Sequence, residues 1–216
     1  MKEYIKIINI IDRSGSMGSM KETALEGFNG FINEQRTLEG DAVVSTILFN
    51  NQYKMLYTDS DVKECSLLTN ENFIPAGTTA LYDAIGKTID DEINKLGLIS
   101  LEERPIKTLC VILTDGYENA SHQYSGTKIK EMISEMKKDF NWEFVFLAAN
   151  EDASLTAETI GISTNNSYAF QNSKLGITDA FNAVNYSSRV YRASVAKGQS
   201  ADTSNLMNDY KNSKNN

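Results

Sequence analysis

The strongest constraint on the fold of this chain is a repeated alternation between short apolar segments and amphipathic ones. The apolar segments are rich in isoleucine, valine or phenylalanine, which is typical of strands buried on both faces of a parallel sheet. They are residues 4–11, 41–50, 106–114 and 143–149. The amphipathic segments carry apolar residues at the three- and four-residue spacing of a helix. They are residues 19–36, 81–96 and 127–140, with a short helix also predicted at 153–160.

One segment departs from this alternation. Asn50-Asn51 follows the second apolar segment, and asparagine is a common residue of tight turns, so residues 52–58 are predicted to return as an antiparallel edge strand. The remaining strands alternate with helices, which places helices on both faces of the sheet. The predicted fold class is therefore α/β, Rossmann-like and doubly wound, with a mostly parallel central sheet and one antiparallel edge strand.

The chain of 216 residues is long enough for one domain and shows no internal repeat or linker. A last strand at 167–171 and a last helix at 175–191 complete the alternation. From residue 199 the sequence is polar and rich in asparagine, serine and lysine. We therefore expect one domain over residues 1–195 and a disordered C-terminal tail over residues 196–216.

Charge and composition exclude several functional classes. With 21 Lys or Arg and 29 Asp or Glu, the net charge is −8, so the chain lacks the basic surface that binds nucleic acid or an anionic membrane. Two cysteines and one histidine exclude a disulfide scaffold, a thiolate zinc cage and a multi-histidine metal site. No segment reaches the roughly 18 apolar residues of a membrane span, and residues 1–17 do not resemble a secretory signal. We therefore expect a cytoplasmic protein.

Polar residues cluster where parallel strands are predicted to end, which is where ligands bind in sheets of this type. Asp12, Ser14 and Ser16 follow the first strand, and Asp115 follows the third buried strand. A third polar segment, residues 77–81, lies just before a helix. Together the segments offer carboxylates and hydroxyls but no nitrogen or thiolate, and such oxygen ligands favour Mg²⁺, Mn²⁺ or Ca²⁺ over Zn²⁺. Asp-x-Ser-x-Ser alone is an ordinary turn sequence, so the prediction depends on all three segments.

In order and spacing, these segments resemble the metal-ion-dependent adhesion site (MIDAS) of the von Willebrand factor type A domain. The resemblance covers about residues 1–195 and is closest to the small intracellular bacterial or phage members of that family. It implies a bound Mg²⁺ ion, for which Mn²⁺ or Ca²⁺ could substitute. The residues it implies as metal ligands are Asp12, Ser14, Ser16, Thr78 and Asp115.

The resemblance also implies how each residue acts. The two serine hydroxyls bind the ion directly, the two aspartates act partly through water, and Thr78 binds when a ligand is present. Thr78 is preferred because it directly follows Gly77, as in the family, and Thr79 is the alternative. The sequence departs from the family at Ala76, where a glycine is commoner.

The function implied is a non-enzymatic module that binds proteins through its metal ion. An ion held mainly by neutral hydroxyls keeps much of its charge, so its open coordination position favours an Asp or Glu carboxylate from a protein partner. Family context suggests an ATPase or an assembly component as that partner. Residues that flank the motif segments are predicted to form the rim that selects the partner: Arg13, Met17, Tyr82, Tyr117, Glu118 and Asn119.

Two alternatives stay open. A metal ion with carboxylates at a sheet edge is also a feature of Mg²⁺-dependent hydrolases and phosphoryl-transfer enzymes. A covalent aspartyl phosphatase typically has a second Asp two residues after the first, but Ser14 stands there, and the sequence shows no constellation of nucleophile and general base. The other alternative is a scaffold whose metal site is intact but idle.

Overall fold

The computed structural model describes residues 4–149, 153–171, 173–197 and 205–214. A six-stranded sheet with the order β3-β2-β1-β4-β5-β6 forms the centre of the fold. The strands are β1 (Tyr4–Asp12), β2 (Asp41–Phe49), β3 (Tyr53–Asp61), β4 (Lys107–Thr114), β5 (Trp142–Ala148) and β6 (Ser167–Ala169). All neighbouring strands are parallel except the edge strand β3, which is antiparallel to β2. The predicted fold class is therefore confirmed.

Helices cover both faces of the sheet. They are α1 (Lys21–Thr37), α2 (Leu81–Leu96), α3 (Gly126–Phe140), α4 (Ala153–Thr159), α5 (Lys174–Ala196) and α6 (Leu206–Ser213), with short 3₁₀ turns at Gly15–Met20, Leu101–Glu103 and Thr164–Asn166. Helices α1, α5 and α6 pack on one face, and α2, α3 and α4 pack on the other. No helix in the described part of the chain is both long and apolar enough to cross a bilayer.

Strand β1 shows why the apolar segments form buried parallel strands. Ile5, Ile7 and Ile11 pack in the layer under α1 and α5, whereas Ile8 and Ile10 pack in the layer under α2 and α3. All of them are at most 3% exposed. Because successive side chains of a strand point to opposite faces, a strand covered on both faces needs apolar residues at nearly every position.

The antiparallel edge hairpin forms at the predicted turn. Asn50 Oδ1 accepts a hydrogen bond from the N–H of Gln52 (2.8 Å), and the N–H of Asn50 donates to the Gln52 carbonyl (3.1 Å). Asn50 Nδ2 also donates to the Ala76 carbonyl (2.6 Å), and the Asn50 carbonyl accepts from the N–H of Ala80 (3.1 Å). This asparagine therefore closes the hairpin and also fixes the segment before α2 at the end of the sheet.

The structure differs from the predicted disordered tail over residues 206–213, which form α6. Leu206, Met207 and Tyr210 are buried, with exposures of 2%, 0% and 8%. These positions share one face of a helix, so a mostly polar segment can still present a continuous apolar contact. Residues 198–204 and 215–216 of the predicted tail lie outside the described residues.

Candidate metal centre

The candidate site lies at the carboxyl ends of β1 and β4, which are neighbours in the sheet. Ile11 pairs in register with Leu113, so Asp12 and Thr114 end the two strands at the same level. The Asp12 side chain is fully buried, and it accepts hydrogen bonds from the Thr114 hydroxyl (2.7 Å) and from the N–H of Ser14 (2.6 Å). Asp12 therefore ties the loop after β1 to the neighbouring strand.

The other predicted ligands after β1 and β4 form a chain of hydrogen-bonded oxygen atoms. Ser14 Oγ lies 3.1 Å from Ser16 Oγ, and the Ser16 hydroxyl donates to Asp115 Oδ1 (2.7 Å). Ser14 is buried, Asp115 is half-buried and Ser16 is exposed, so this chain connects the interior to the surface. The structure thus brings together Asp12, Ser14, Ser16 and Asp115.

The fifth predicted ligand, Thr78, has an exposed side chain, whereas Thr79 is only 3% exposed. The Thr79 hydroxyl faces the loop after β4. A Cβ atom placed on Gly116 would lie 3.3 Å from Thr79 Oγ1 and 3.8 Å from Ser16 Oγ. Of the two threonines, it is therefore Thr79, the alternative left open by the sequence, whose hydroxyl lies near the loop that carries Asp115.

Backbone hydrogen bonds hold the Thr79 segment against the loop after β1. The N–H of Gly15 donates to the Gly77 carbonyl (3.0 Å), and the N–H of Ala76 donates to the Arg13 carbonyl (2.9 Å). Gly77 has a φ of +75°, in the left-handed region that favours glycine, whereas Ala76 is not in that region. Glycine is therefore favoured at position 77, whereas alanine is tolerated at position 76.

Burial makes the charged forms of Asp12 and Asp115 unfavourable. Burial raises the pKa of Asp12 to about 6, although hydrogen bonds from Thr114 and Ser14 oppose the rise, and the nearby charge of Asp115 adds to it. Burial also raises the pKa of Asp115, against the opposing effect of the hydrogen bond from Ser16. A cation placed between the two carboxylates would offset this cost.

One of the two carboxylate oxygens of Asp115 stands apart from the hydrogen bonds of the described residues. Its Oδ2 is buried, and no group in the described part of the chain forms a hydrogen bond with it. Burying such an oxygen is costly unless a donor or a cation binds it. This orphaned oxygen therefore fits a metal ligand.

The donor set also indicates which kind of cation would fit. Within residues 4–149, 153–171, 173–197 and 205–214, no group of three or more His, Cys, Asp or Glu side chains is placed to hold a metal ion. An ion at this site must therefore rely on the hydroxyl oxygens of Ser14, Ser16 and Thr79 as well as on carboxylates. Oxygen-only donors fit hard ions such as Mg²⁺ or Mn²⁺.

The residues predicted to form the partner-selecting rim occupy different environments. Met17 is fully buried in the core against the α1 face, because the 3₁₀ turn directs its side chain inward, so it does not belong to a rim. Tyr82 is half-buried, and a Cβ atom on Gly126 would lie 3.3 Å from its hydroxyl. Arg13 is half-buried and Tyr117 is 57% exposed. Tyr117 is therefore the most exposed of these four side chains.

Glu118 and Asn119 direct polar atoms back into the protein. Glu118 Oε2 accepts a hydrogen bond from the N–H of Tyr82 (2.9 Å), and Asn119 Oδ1 accepts one from the N–H of Thr79 (3.0 Å). Thr114, which donates a hydrogen bond to Asp12, was not among the predicted site residues, although its position at the end of β4 could have indicated a role.

No family model matches this chain, and no curated protein matches it. Solved structures do match its fold. The von Willebrand factor type A protein from Catenulispora acidiphila is 14% identical, with a TM-score of 0.55, over 88% of this chain and 43% of its own. Proximal thread matrix protein 1 from the mussel byssus, with a zinc-occupied MIDAS motif, is 11% identical, with a TM-score of 0.62, over 87% of this chain and 48% of its own.

A third similar structure is the manganese-loaded TRAP protein of Plasmodium vivax. It is 16% identical, with a TM-score of 0.53, over 83% of this chain and 73% of its own. Our chain spans less than half the length of the Catenulispora and mussel proteins. The strand order, the helices on both faces and these matches together assign to this chain the fold of the von Willebrand factor type A domain.

Proposed function

We propose that this chain is a protein-binding module whose affinity for its partner depends on a divalent cation, Mg²⁺ or Mn²⁺. The residues that would hold the ion are Asp12, Ser14, Ser16, Thr79 and Asp115. Thr79 takes the place of Thr78 in this set because the Thr78 side chain is exposed, whereas the Thr79 hydroxyl lies beside Gly116, the residue after Asp115. The observation that carries the proposal is the buried Asp115 Oδ2, which has no hydrogen-bond partner in the described part of the chain.

When bound, the ion supplies a positive charge with an open coordination position that a partner's carboxylate can occupy. The residues of the chain have separate tasks. Ser14 and Ser16 provide neutral hydroxyl oxygens, which leave most of the ion's charge uncompensated. Asp12 stays bonded to Thr114 and to the backbone of Ser14, so it orients the first loop and supplies negative charge nearby. Asp115 provides its free Oδ2.

The proposed partner is a protein that presents an Asp or Glu side chain, and an ATPase or assembly component is the class suggested by the resemblance. Because the chain has a net charge of −8, attraction of an acidic partner has to be local to the ion. Tyr117, 57% exposed and two residues after Asp115, offers an apolar contact beside it. A cytoplasmic location and a bacterial or phage source stay predictions from the sequence.

The metal site is tested with Asp115→Asn, which removes one carboxylate charge and keeps the size of the side chain. Asp115 is a better target than Asp12, since Asp12 also holds two buried hydrogen-bond donors. Asp139→Asn, an equal charge change on the exposed end of α3, is the matched control. Mn²⁺ binding is followed by the loss of the electron paramagnetic resonance signal of free Mn²⁺, with Mg²⁺ as competitor.

We expect Asp115→Asn to weaken Mn²⁺ binding at least about tenfold and Asp139→Asn to leave it unchanged. In EDTA, the melting temperature of Asp115→Asn should not fall below that of the wild type by more than about 2 °C. Equal Mn²⁺ affinity in wild type and Asp115→Asn would exclude this site.

The partner is sought by affinity capture in Mg²⁺ and in EDTA, with Asp115→Asn as the control bait. The proposal requires a protein that wild type retains only in Mg²⁺ and that is lost when an Asp or Glu of that protein is replaced by Asn or Gln. Mg²⁺-dependent hydrolysis of phosphate esters, abolished by Asp115→Asn, would instead favour the enzymatic alternative.

A further inference from the structure

The segment that carries Thr79 and the loop that carries Asp115 are joined by a reciprocal pair of hydrogen bonds. The N–H of Thr79 donates to Asn119 Oδ1 (3.0 Å), and the N–H of Asn119 donates to the Thr79 carbonyl (3.0 Å). Asn119 thus holds both backbone groups of Thr79. The backbone of Thr79 is thereby tied to the loop that carries Asp115.

Glu118 extends this connection to the first turn of α2. Its carboxylate accepts hydrogen bonds from the N–H of Tyr82 (2.9 Å), the N–H of Ala120 (2.9 Å), and the N–H and hydroxyl of Ser121 (both 2.7 Å). Tyr82 lies in the first turn of α2, where N–H groups have no partner within the helix and a negative charge is favourable. Glu118 therefore satisfies this helix end from the neighbouring loop.

Asp83 makes the same connection in the opposite direction. From the first turn of α2, its carboxylate accepts hydrogen bonds from the N–H groups of His122 (2.9 Å), Gln123 (2.9 Å) and Tyr124 (3.0 Å). The N–H of Asp83 in turn donates to the Ser121 hydroxyl (3.0 Å). The start of α2 and the loop after β4 thus hold each other through side chains from both sides.

We propose that Asn119, Glu118 and Asp83 form a clasp of positioning residues for the candidate metal site. This inference rests on the proposed function. The clasp fixes the Thr79 hydroxyl relative to Asp115, so that both groups are in place before a cation binds. In this role Asn119 and Glu118 act on the ion's ligands, in addition to the place on the rim that the sequence predicts for them.

The physical reason lies in where the two ligands are anchored. Asp115 directly follows the end of β4, a central strand of the sheet. Thr79 precedes α2 and does not belong to a strand, so the sheet does not hold it next to Asp115. The clasp connects these two elements near the site through hydrogen bonds. Removing part of it would let the two ligands drift apart, and loss of residues that orient metal ligands typically weakens metal binding by roughly 10–100-fold.

The test is Asn119→Ala, which removes the Oδ1 acceptor and keeps the backbone bond from residue 119 to Thr79. The matched control is Asn29→Ala on α1. Asn29 makes the same kind of contact, bonding the N–H and the carbonyl of Leu68 with its side chain (both 2.9 Å), but away from the site. Ser121→Ala is a second, milder variant that removes the hydroxyl bridging Glu118 and Asp83.

Two quantities are measured for each protein: the Kd for Mn²⁺ and the melting temperature in EDTA. We expect both asparagine variants to lower the melting temperature, Asn29→Ala by at least as much because it loses two side-chain hydrogen bonds, and only Asn119→Ala to raise the Kd by about tenfold or more. Ser121→Ala should raise the Kd by a smaller factor. A purely structural role would predict equal Kd values for Asn119→Ala and Asn29→Ala.

The outcomes separate this inference from the proposed function. If the wild type binds Mn²⁺ and Asn119→Ala and Ser121→Ala bind it equally well, the clasp has no positioning role, while the metal site stands. If the wild type binds no Mn²⁺, both proposals are overturned. If Asn119→Ala does not fold, the result for Ser121→Ala decides between the two roles.

Discussion

Gly77 links the stability of the fold to the geometry of the candidate metal site. Its φ of +75° is in the left-handed region, and a Cβ atom there would lie 2.2 Å from Asn51 Oδ1 and 3.3 Å from Asn50 Nδ2. The Gly77 carbonyl accepts the hydrogen bond from Gly15, and Thr79 is only two residues further along. Replacing Gly77 with alanine therefore disturbs the conformation of the segment that presents the Thr79 hydroxyl.

The size of the effect follows from these contacts. An alanine in the left-handed region costs about 1–2 kcal/mol. The Asn51 side chain is exposed and can move away, but the shift also strains the Asn50 side chain, which donates to the Ala76 carbonyl (2.6 Å). Adding about 1 kcal/mol for a weakened hydrogen bond gives a loss of about 2–3 kcal/mol. For a chain of this length that corresponds to a fall of about 4–12 °C in melting temperature.

The assay compares Gly77→Ala with Gly30→Ala by thermal unfolding in EDTA and by Mn²⁺ titration. Gly30 lies inside α1, and a Cβ atom there would meet no atom within 4 Å. Alanine is a better helix former than glycine, so Gly30→Ala should gain about 0.5–1 kcal/mol and leave Mn²⁺ affinity unchanged. Gly77→Ala should lose stability and bind Mn²⁺ about tenfold or more weakly. If Gly77→Ala matched the wild type in both measurements, the strain argument would be refuted.

Two further predictions concern the charged cluster of β1, β3 and α2. Lys6→Met leaves Glu92, which is only 3% exposed, with Lys95 as its remaining ion-pair partner (2.7 Å). We therefore expect the free energy of unfolding to fall by about 3 kcal/mol, which corresponds to about 6–12 °C in melting temperature. The double variant Lys6→Met, Glu92→Met should recover most of this loss, because it removes both buried charges. Partial burial alone would raise the pKa of Asp59, but Lys6 and then Lys95 lower it below 3.8. Because this pKa is depressed in the folded state, the contribution of Asp59 to stability is lost as the pH falls below about 4. The difference in melting temperature between wild type and Asp59→Asn should therefore shrink between about pH 6 and pH 3, and a constant difference would contradict the assignment.

The fold was predictable because buried parallel strands leave a strong local signal in the sequence. Strand β1 was predicted at 4–11 and runs to Asp12, and α2 was predicted at 81–96 and has those bounds. The short strand β6 was predicted to run to residue 171 but ends at Ala169. An edge strand with few paired residues leaves a weaker pattern than a central strand, so its end was harder to place.

The candidate site was less predictable than the fold, because sequence adjacency does not fix side-chain direction. Thr78 and Thr79 are both threonines, so the sequence does not distinguish them. Which of the two side chains faces inward depends on the backbone conformation set by Gly77 and by the Asn119 hydrogen bonds. Met17 directly follows the motif residue Ser16 in the sequence, but its side chain is buried in the core because residue 17 lies in a 3₁₀ turn. The ends of the strands can be predicted from the sequence, and they fix the position of the site. The residues at its rim depend on loop conformation, which leaves no periodic pattern in the sequence.

Helix α6 gives the sharpest contrast between composition and structure, and a direct test. Its segment is polar overall, yet Met207 is fully buried in the layer beneath α1 and α5. Buried Met→Ala substitutions cost about 2–5 kcal/mol, but a helix of eight residues can detach instead of keeping a cavity, so its docking free energy limits the loss. We therefore expect the low end, about 2 kcal/mol or about 4–8 °C by thermal unfolding.

The control for Met207→Ala is Asp209→Ala, on the exposed side of the same helix. It changes the same segment without removing a buried contact, so it should shift stability by no more than about 1 kcal/mol. A larger loss of stability in Met207→Ala than in Asp209→Ala would mean that the helix is held by its apolar face. Helix propensity alone cannot produce such a loss, because it favours alanine at both positions. A Met207→Ala protein as stable as the wild type would mean that the segment adds nothing to the fold, as its polar composition alone predicts.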